Sequence, residues 1–294
     1  MTELVREHDT TPLVHLKRRG FKLAVMPGME RELDLLLHEI FDKNPYTRHG
    51  ISLSDGACVV DLGANMGLFS LWCTTQANNL NIYACEPLPP LYQISSTNLG
   101  AIDGHQIHID PRGIAAKNEV REMTFFPQAT ACSSVYGAQT VERMPALYSG
   151  AEVSLKDLWS IHKGAFFLGA LWGPLFPFVR RVAISFLLRR ALSVSQRYKC
   201  QMATLSTLLD EWQVDKIDLL KIDIQGSEVD ALQGLRPEHW EKIDSIAMEV
   251  NTFLGQSVDT DICSILERQG YRVIREDSSD ITAPGSFFIY ALRD

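Results

Sequence analysis

The chain lacks an excess of positive charge, paired cysteines and an apolar leader, and each absence excludes a class of function. With 28 Lys and Arg against 36 Asp and Glu, the formal net charge is -8, so the basic footprint of a general nucleic-acid binder is missing and no nucleic-acid partner is expected. The six cysteines, Cys58, Cys73, Cys85, Cys132, Cys200 and Cys263, form no CxxC pair and no metal-ligand spacing. They read as reduced thiols of a cytoplasmic protein, most of them packed in apolar runs such as GACVVDL. The opening MTELVREHDTTPL is charged where a signal peptide carries an apolar core. No His-rich spacing accompanies the acids, so no metal is expected.

What is present is core material, 46% hydrophobic residues in 294, enough for one large α/β domain or two small ones. From Pro27 to about His49, Leu33, Leu36, Leu37, Ile40 and Phe41 recur at helical spacing, which predicts a helical N-terminal cap over residues 1–50 whose role is packing. Residues 51–294 then alternate strand and helix. Ala57 to Asp61, Asn81 to Cys85, Gln106 to Ile109, Ile217 to Ile222, Ile243 to Val250, Tyr271 to Arg275 and Phe287 to Leu292 read as strands. Leu68 to Gln76, Pro89 to Leu99, Leu205 to Trp212, SEVDALQGL and Asp261 to Gln269 read as helices. The alternation predicts an α/β fold with a mainly parallel, doubly wound sheet. Val120 to Phe126 and Cys200 to Leu205 form a further pair of strands that suit each other.

Between that pair lies a stretch, Trp159 to Leu209, without one Asp or Glu but with Lys163, Arg180, Arg181, Arg189, Arg190, Arg197 and Lys199. Its apolar centre, GAFFLGALWGPLFPFV, is broken by Pro174 and Pro177 and is shorter than the ~20 residues of a spanning helix. An inserted helical lid over about 137–198 is expected, facing a hydrophobic small-molecule or carrier-tethered acceptor, with peripheral membrane contact as an alternative role.

The segment Asp61-Leu62-Gly63-Ala64-Asn65-Met66-Gly67 stands where the first strand of the alternating region hands over to a helix. Gly63 lets backbone approach a ligand, and Gly67 permits close packing at the helix start. A nicotinamide fingerprint wants GxGxxG, but Asn65 occupies the middle glycine position, and no Tyr-x-x-x-Lys pair occurs. An NAD-dependent oxidoreductase is thereby disfavoured, and a non-catalytic Rossmann-like binding module is the other alternative. Asp61, just before the first glycine, suits a ligand with positive charge such as S-adenosylmethionine. Glu86, at the end of the next strand, stands about 20 residues on, where an acid accepts hydrogen bonds from a ribose diol. Pro87 follows it, and Asp110, Gly113 and Ile114 are candidates for the adenine.

The segments GISLSDGACVVDLGANMGLFSL, YACEPLPPLYQISSTNL and DLLKIDIQGSEVDALQGL resemble those of FkbM-family, S-adenosylmethionine-dependent methyltransferases. The resemblance covers roughly residues 30–135 and 200–292 and implies a Rossmann-like class I methyltransferase fold, a mostly parallel sheet with an antiparallel last strand, and O-methylation. HEIFDKNPYTRHGIS resembles members from natural-product pathways. The family's KID segment corresponds to Lys221, Asp223, Gln225 and Glu228, with Gln225 where the family usually carries Glu. Asp223, at a strand end over the cleft, is the first candidate to orient or deprotonate the acceptor, and it also borders the cofactor. Glu249 and His49 are further catalytic candidates, and Lys221 is a buried partner for Asp223 or Glu249.

Overall fold

The computed structural model describes residues 12–150, 185–186, 188–251, 258–277 and 285–293. It opens with an antiparallel hairpin, β1 (Val14–Arg18) and β2 (Phe21–Val25), turned by Arg19 and Gly20 at φ 49° and 88°. Two successive positive φ values are what a two-residue hairpin turn requires. The N-terminal cap is therefore not wholly helical. Helix α1 (Glu30–Leu37) follows, running into a π-helical turn over His38–Lys43.

Seven strands form the main sheet: β3 (Cys58–Leu62), β4 (Asn81–Cys85), β5 (Gln106–Asp110), β9 (Leu219–Ile222), β10 (Ser245–Asn251), β11 (Arg272–Glu276) and β12 (Ser286–Leu292), in the order β11-β12-β10-β9-β3-β4-β5. The five from β10 to β5 are parallel, and β12 runs antiparallel to both neighbours. This is the Rossmann-like class I methyltransferase arrangement. Strands β3 and β9 are apolar and almost wholly buried, because helices or loops cover both of their faces, apart from the charged pair Asp61 and Lys221 that they carry side by side.

Strand alternation divides the core. Val60, Leu220, Ile246 and Ile289 face α5 (Leu205–Trp212), α6 (Glu228–Gln233) and α8 (Val258–Arg268), while the short α7 (Pro237–Trp240) adds Trp240 to the same cluster. Val59, Leu219, Ala247, Phe288 and Tyr290 face α2 (Leu68–Cys73) and Tyr46 on the opposite side. Each such fully buried side chain stabilises the fold by ~1.5–3 kcal/mol. α3 (Pro89–Leu99) packs on the hairpin, where Asn98 Oδ1 accepts from Ala24 N at 2.6 Å.

A separate three-stranded sheet, in the order β6-β8-β7, is made by β6 (Gly113–Ile114), β7 (Glu119–Phe125) and β8 (Gln196–Ala203). The expected pairing of the two strands around the insertion is present, in antiparallel register from Glu119↔Met202 to Phe125↔Gln196. The insertion begins as α4 (Gly137–Gly150); its basic, apolar centre lies outside the described residues. Among the described residues no helix is long and apolar enough to cross a membrane.

Candidate active site

The chain runs outward from β3 to β4 and β5 on one side and from β9 to β10 on the other, so the crevice at the carboxyl ends of β3 and β9 is the topological switch point. Gly63 sits there at φ 82°, and a Cβ on it would collide with the carbonyl oxygen of Asp223. Only glycine lets the two loops touch. Gly63 N and Ala64 N donate to Cys85 O at 3.1 and 2.9 Å, and Asp223 N donates to Leu62 O at 3.1 Å. Gly67, at φ 80°, would place a Cβ 3.0 Å from Leu99, so it sets how closely α2 meets α3. Asn65 holds a left-handed φ of 51°.

Glu86 follows β4 beside this loop. Its Oε2 accepts from Asn65 N at 2.8 Å and its Oε1 from Leu88 N at 3.0 Å, while burial pushes the carboxyl up to about 7. A Cβ on Gly113 would lie 3.2 Å from Pro87, so Glu86, Pro87 and Gly113 converge at one end of β4. Ile114 does not join them at a surface, because it is 2% exposed and packs into the core. Asp110 is also engaged: Arg112 Nε and Nη2 donate to its two oxygens at 2.8 and 2.7 Å, and Arg112 goes on to Glu211. An adenine amino group would compete with that bidentate pair.

The position of Asp61 corrects the expectation that it meets the ligand. It is 0% exposed, accepts from Ser70 Oγ at 2.7 Å, and lies 3.0 Å from Lys221 Nζ. In-register pairing of β3 and β9 sets Asp61 beside Lys221, so the acid is the lysine's partner in the core. Lys221 Nζ also donates to Gly63 O at 2.8 Å, lies 3.9 Å from Asp223 Oδ2, and sits over the rings of Tyr46 and Phe69. Burial works against this ammonium, but Asp61 and Asp223 outweigh it and raise its pKa. The pair thus ties a core charge to the loop backbone.

Asp223 emerges past β9 with its side chain 21% exposed. Its Oδ2 accepts from Tyr46 Oη at 3.1 Å and its Oδ1 from Gln225 Nε2 at 3.0 Å. Gln225 and Gly226 turn the chain at φ 50° and 100°, and Gly226 N donates to Glu228 Oε1 at 2.8 Å. Glu228 is therefore a buried cap of its own turn, and burial pushes it up to about 7. Glu249, on β10, is raised well above the usual carboxylate range by burial and then by the charges of Asp223 and Glu39. Glu39 comes from the π-helical turn, and burial together with Asp223 pushes it up to about 7. π-Turns of this kind occur disproportionately at functional sites.

Sequence reasoning missed Glu39 and Tyr46, having assigned their segment to packing. The sole signal was their presence in the HEIFDKNPY stretch, whose leucine period hid the polar side. His49 is drawn to the rim. Its Nε2 is 2.7 Å from Glu276 Oε2 at the end of β11, and its ring lies 4.7 Å from that of Tyr290. Its described partners are thus Glu276 and Tyr290, not the acids at the end of β9. Among the described residues no group of three or more His, Cys, Asp or Glu is arranged to hold a metal ion.

The parallel sheet with its antiparallel hairpin edge, the glycine cradle at the switch point and the acid after the second parallel strand define a class I methyltransferase. The methyltransferase FkbM domain matches residues 173–273. The 31-O-demethyl-FK506 methyltransferase FkbM of Streptomyces tacrolimicus is 25% identical over 83% of this chain and 84% of its own length. Methyltransferase sdnD of Sordaria araneosa is 26% identical over 89% and 90%. The AMB antimetabolite synthetase AmbE of Pseudomonas aeruginosa is 28% identical over 84% of this chain, which spans 11% of that protein. Methyltransferase FkbM from Methylobacillus flagellatus, a crystal structure, aligns at a TM-score of 0.46 and 15% identity, over 84% of this chain and 46% of that one. The chain is a methyltransferase similar in sequence to the FkbM domain, and its cofactor is S-adenosylmethionine.

Proposed function

We propose that the protein transfers a methyl group to oxygen, on a hydroxyl or carboxyl of a natural-product or lipid-like acceptor, free or tethered to a carrier. The observation that carries this reading is Asp223, a partly open carboxylate held from two sides by Tyr46 and Gln225 at the mouth of the switch point. Support also comes from the relative named for a 31-O-demethyl substrate. The cofactor supplies an activated methyl on a sulfonium. The protein has only to hold the acceptor oxygen in line and, for a hydroxyl, take its proton.

Residues for both tasks are at hand. Gly63, Ala64, Asn65 and Gly67 form the backbone cradle, and Glu86 and Pro87 border the ribose end, with Gly113 close by. This set fits a cationic cofactor, since Asp61 pairs with the buried lysine and the partly open Asp223 carboxylate stands at the same switch point. Asp223 accepts the acceptor's proton. Glu249, whose proton burial retains, donates a hydrogen bond that orients the same oxygen, with the raised carboxyl of Glu39 beside it.

Asp223→Asn tests the assignment, measured as turnover over a panel of hydroxyl and carboxyl acceptors and as S-adenosylhomocysteine affinity. Turnover should fall ~100-fold or more while affinity stays within a factor of about two. Wild-type turnover in the variant would dismiss Asp223 as the base and bring Glu249 forward. A cytoplasmic setting, and contact of the basic insertion with an acidic carrier or membrane surface, belong to the same proposal.

A further inference from the structure

One carboxylate at the foot of α1 has no place in the chemistry above. Glu32, on α1, accepts through Oε1 from Thr130 Oγ1 at 3.0 Å and from Ala131 N at 3.2 Å. Its Oε2 is buried and finds no hydrogen-bond partner among the described residues. Thr130, 2% exposed, opens a short 3-10 turn just before the long insertion, and its hydroxyl accepts from Asn65 Nδ2 at 3.1 Å. Asn65 N in turn donates to Glu86 Oε2. The path Glu32, Thr130, Asn65, Glu86 therefore joins the N-terminal segment, the root of the insertion and the cofactor loop.

Its effect on the loop follows from the backbone. A residue other than glycine holds a positive φ only when local contacts favour it, and asparagine does so when its amide is bonded in place. Here the hydroxyl of Thr130 fixes that amide, and Glu32 fixes the hydroxyl by accepting its proton, which leaves the Thr130 lone pairs facing Asn65. With the amide fixed, Asn65 N points at Glu86 and sets the angle of the carboxylate offered to the ribose.

We propose that Glu32 is a positioning residue of the cofactor site, setting the glycine loop and Glu86 through Thr130 and Asn65. The proposal rests on the assignment of that loop to S-adenosylmethionine. It separates from a fold-staple role because its effect must pass through the side chain of Asn65.

The experiment is calorimetric titration of S-adenosylhomocysteine into wild type, Glu32→Ala, Glu32→Gln, Thr130→Val, Asn65→Gly and the double variant Glu32→Ala with Asn65→Gly. Glycine suits the positive φ, so Asn65→Gly removes the amide without adding strain. Glu32→Ala and Thr130→Val should each weaken binding about tenfold, while Glu32→Gln, which keeps the Oε1 acceptor, stays within about twofold of wild type. The double variant should bind no more weakly than Asn65→Gly alone. Affinity in Glu32→Ala within about twofold of wild type, or losses that multiply in the double variant, would overturn the proposal. If Glu32→Ala does not fold, the near-isosteric Thr130→Val with Asn65→Gly carries the same cycle. Wild type failing to bind the ligand would instead defeat the cofactor assignment on which the proposal stands.

Discussion

Replacing Lys221 with methionine tests the buried pair that anchors the site. The ammonium is 4% exposed and lies 3.0 Å from Asp61, which is itself 0% exposed, so its removal leaves a carboxylate in the core with Ser70 as its hydrogen-bond donor. Methionine fills nearly the same volume, and packing loss is a minor part of the effect. Breaking such a pair from one side costs ~3–5 kcal/mol, because the surviving charge is uncompensated. At ~2–4 °C per kcal/mol for a chain of this size, the melting temperature should drop by on the order of 10 °C. Adding Asp61→Asn removes the stranded charge while keeping an acceptor for Ser70, and it should return most of the loss. Differential scanning calorimetry reads both variants. The reasoning fails if Lys221→Met melts within ~2 °C of wild type, or if Asp61→Asn deepens the loss instead of relieving it. Cofactor affinity should also fall in Lys221→Met, since Gly63 O loses the donor that holds the loop.

Two further outcomes are expected. Gly63→Ala should cost ~2–3 kcal/mol and abolish measurable S-adenosylhomocysteine binding, because the new Cβ meets the backbone carbonyl of Asp223 at a φ of 82°; urea unfolding and calorimetry that match wild type would mean that the two loops part freely. Glu228 is held at about 7 in the folded chain against 4.5 as its ordinary value, so it retains a proton that the unfolded chain releases. Its contribution to stability is full below about 4.5 and lost as the pH rises through about 7. Glu228→Gln should therefore flatten the fall in urea midpoint between pH 5 and pH 8, and an unchanged slope would rule Glu228 out as its source.

Much of the fold was legible because its signals are local. The strand Asn81–Cys85 and the helices Pro89–Leu99 and Leu205–Trp212 begin and end where apolar runs, prolines and the Thr204 cap say they should. The hairpin at Val14–Arg18 and Phe21–Val25 was not, because its turn is Arg-Gly and the leucine pattern that follows dominates the first fifty residues. The helix at Leu68–Cys73 is three residues shorter than its apolar run suggested, ending before Thr74, Thr75 and Gln76. Within the site, position relative to a strand end was readable, as for Glu86 and Asp223. Partners were not. Lys221 was matched to Asp223 or Glu249, whereas its near partner is Asp61, one strand over and 160 residues away in the chain. Glu32, Glu39 and Tyr46 acquire their chemistry from residues brought close by the fold, and no spacing in the sequence records such contacts.

The bond from Tyr46 to Asp223 joins residues 177 apart in the chain, and it has a consequence for how the protein comes to life. During synthesis the N-terminal hairpin and its π-turn emerge early, but the acids they serve do not exist until β9 and β10 follow. The glycine loop, too, needs the Asp223 carbonyl against Gly63 for its shape. Contacts of such long range form late, after the loop-closure entropy of the intervening chain has been met. The ability to hold the cofactor therefore requires these long-range contacts, and a ligand that binds only when they are made acts as a thermodynamic clasp on the completed chain.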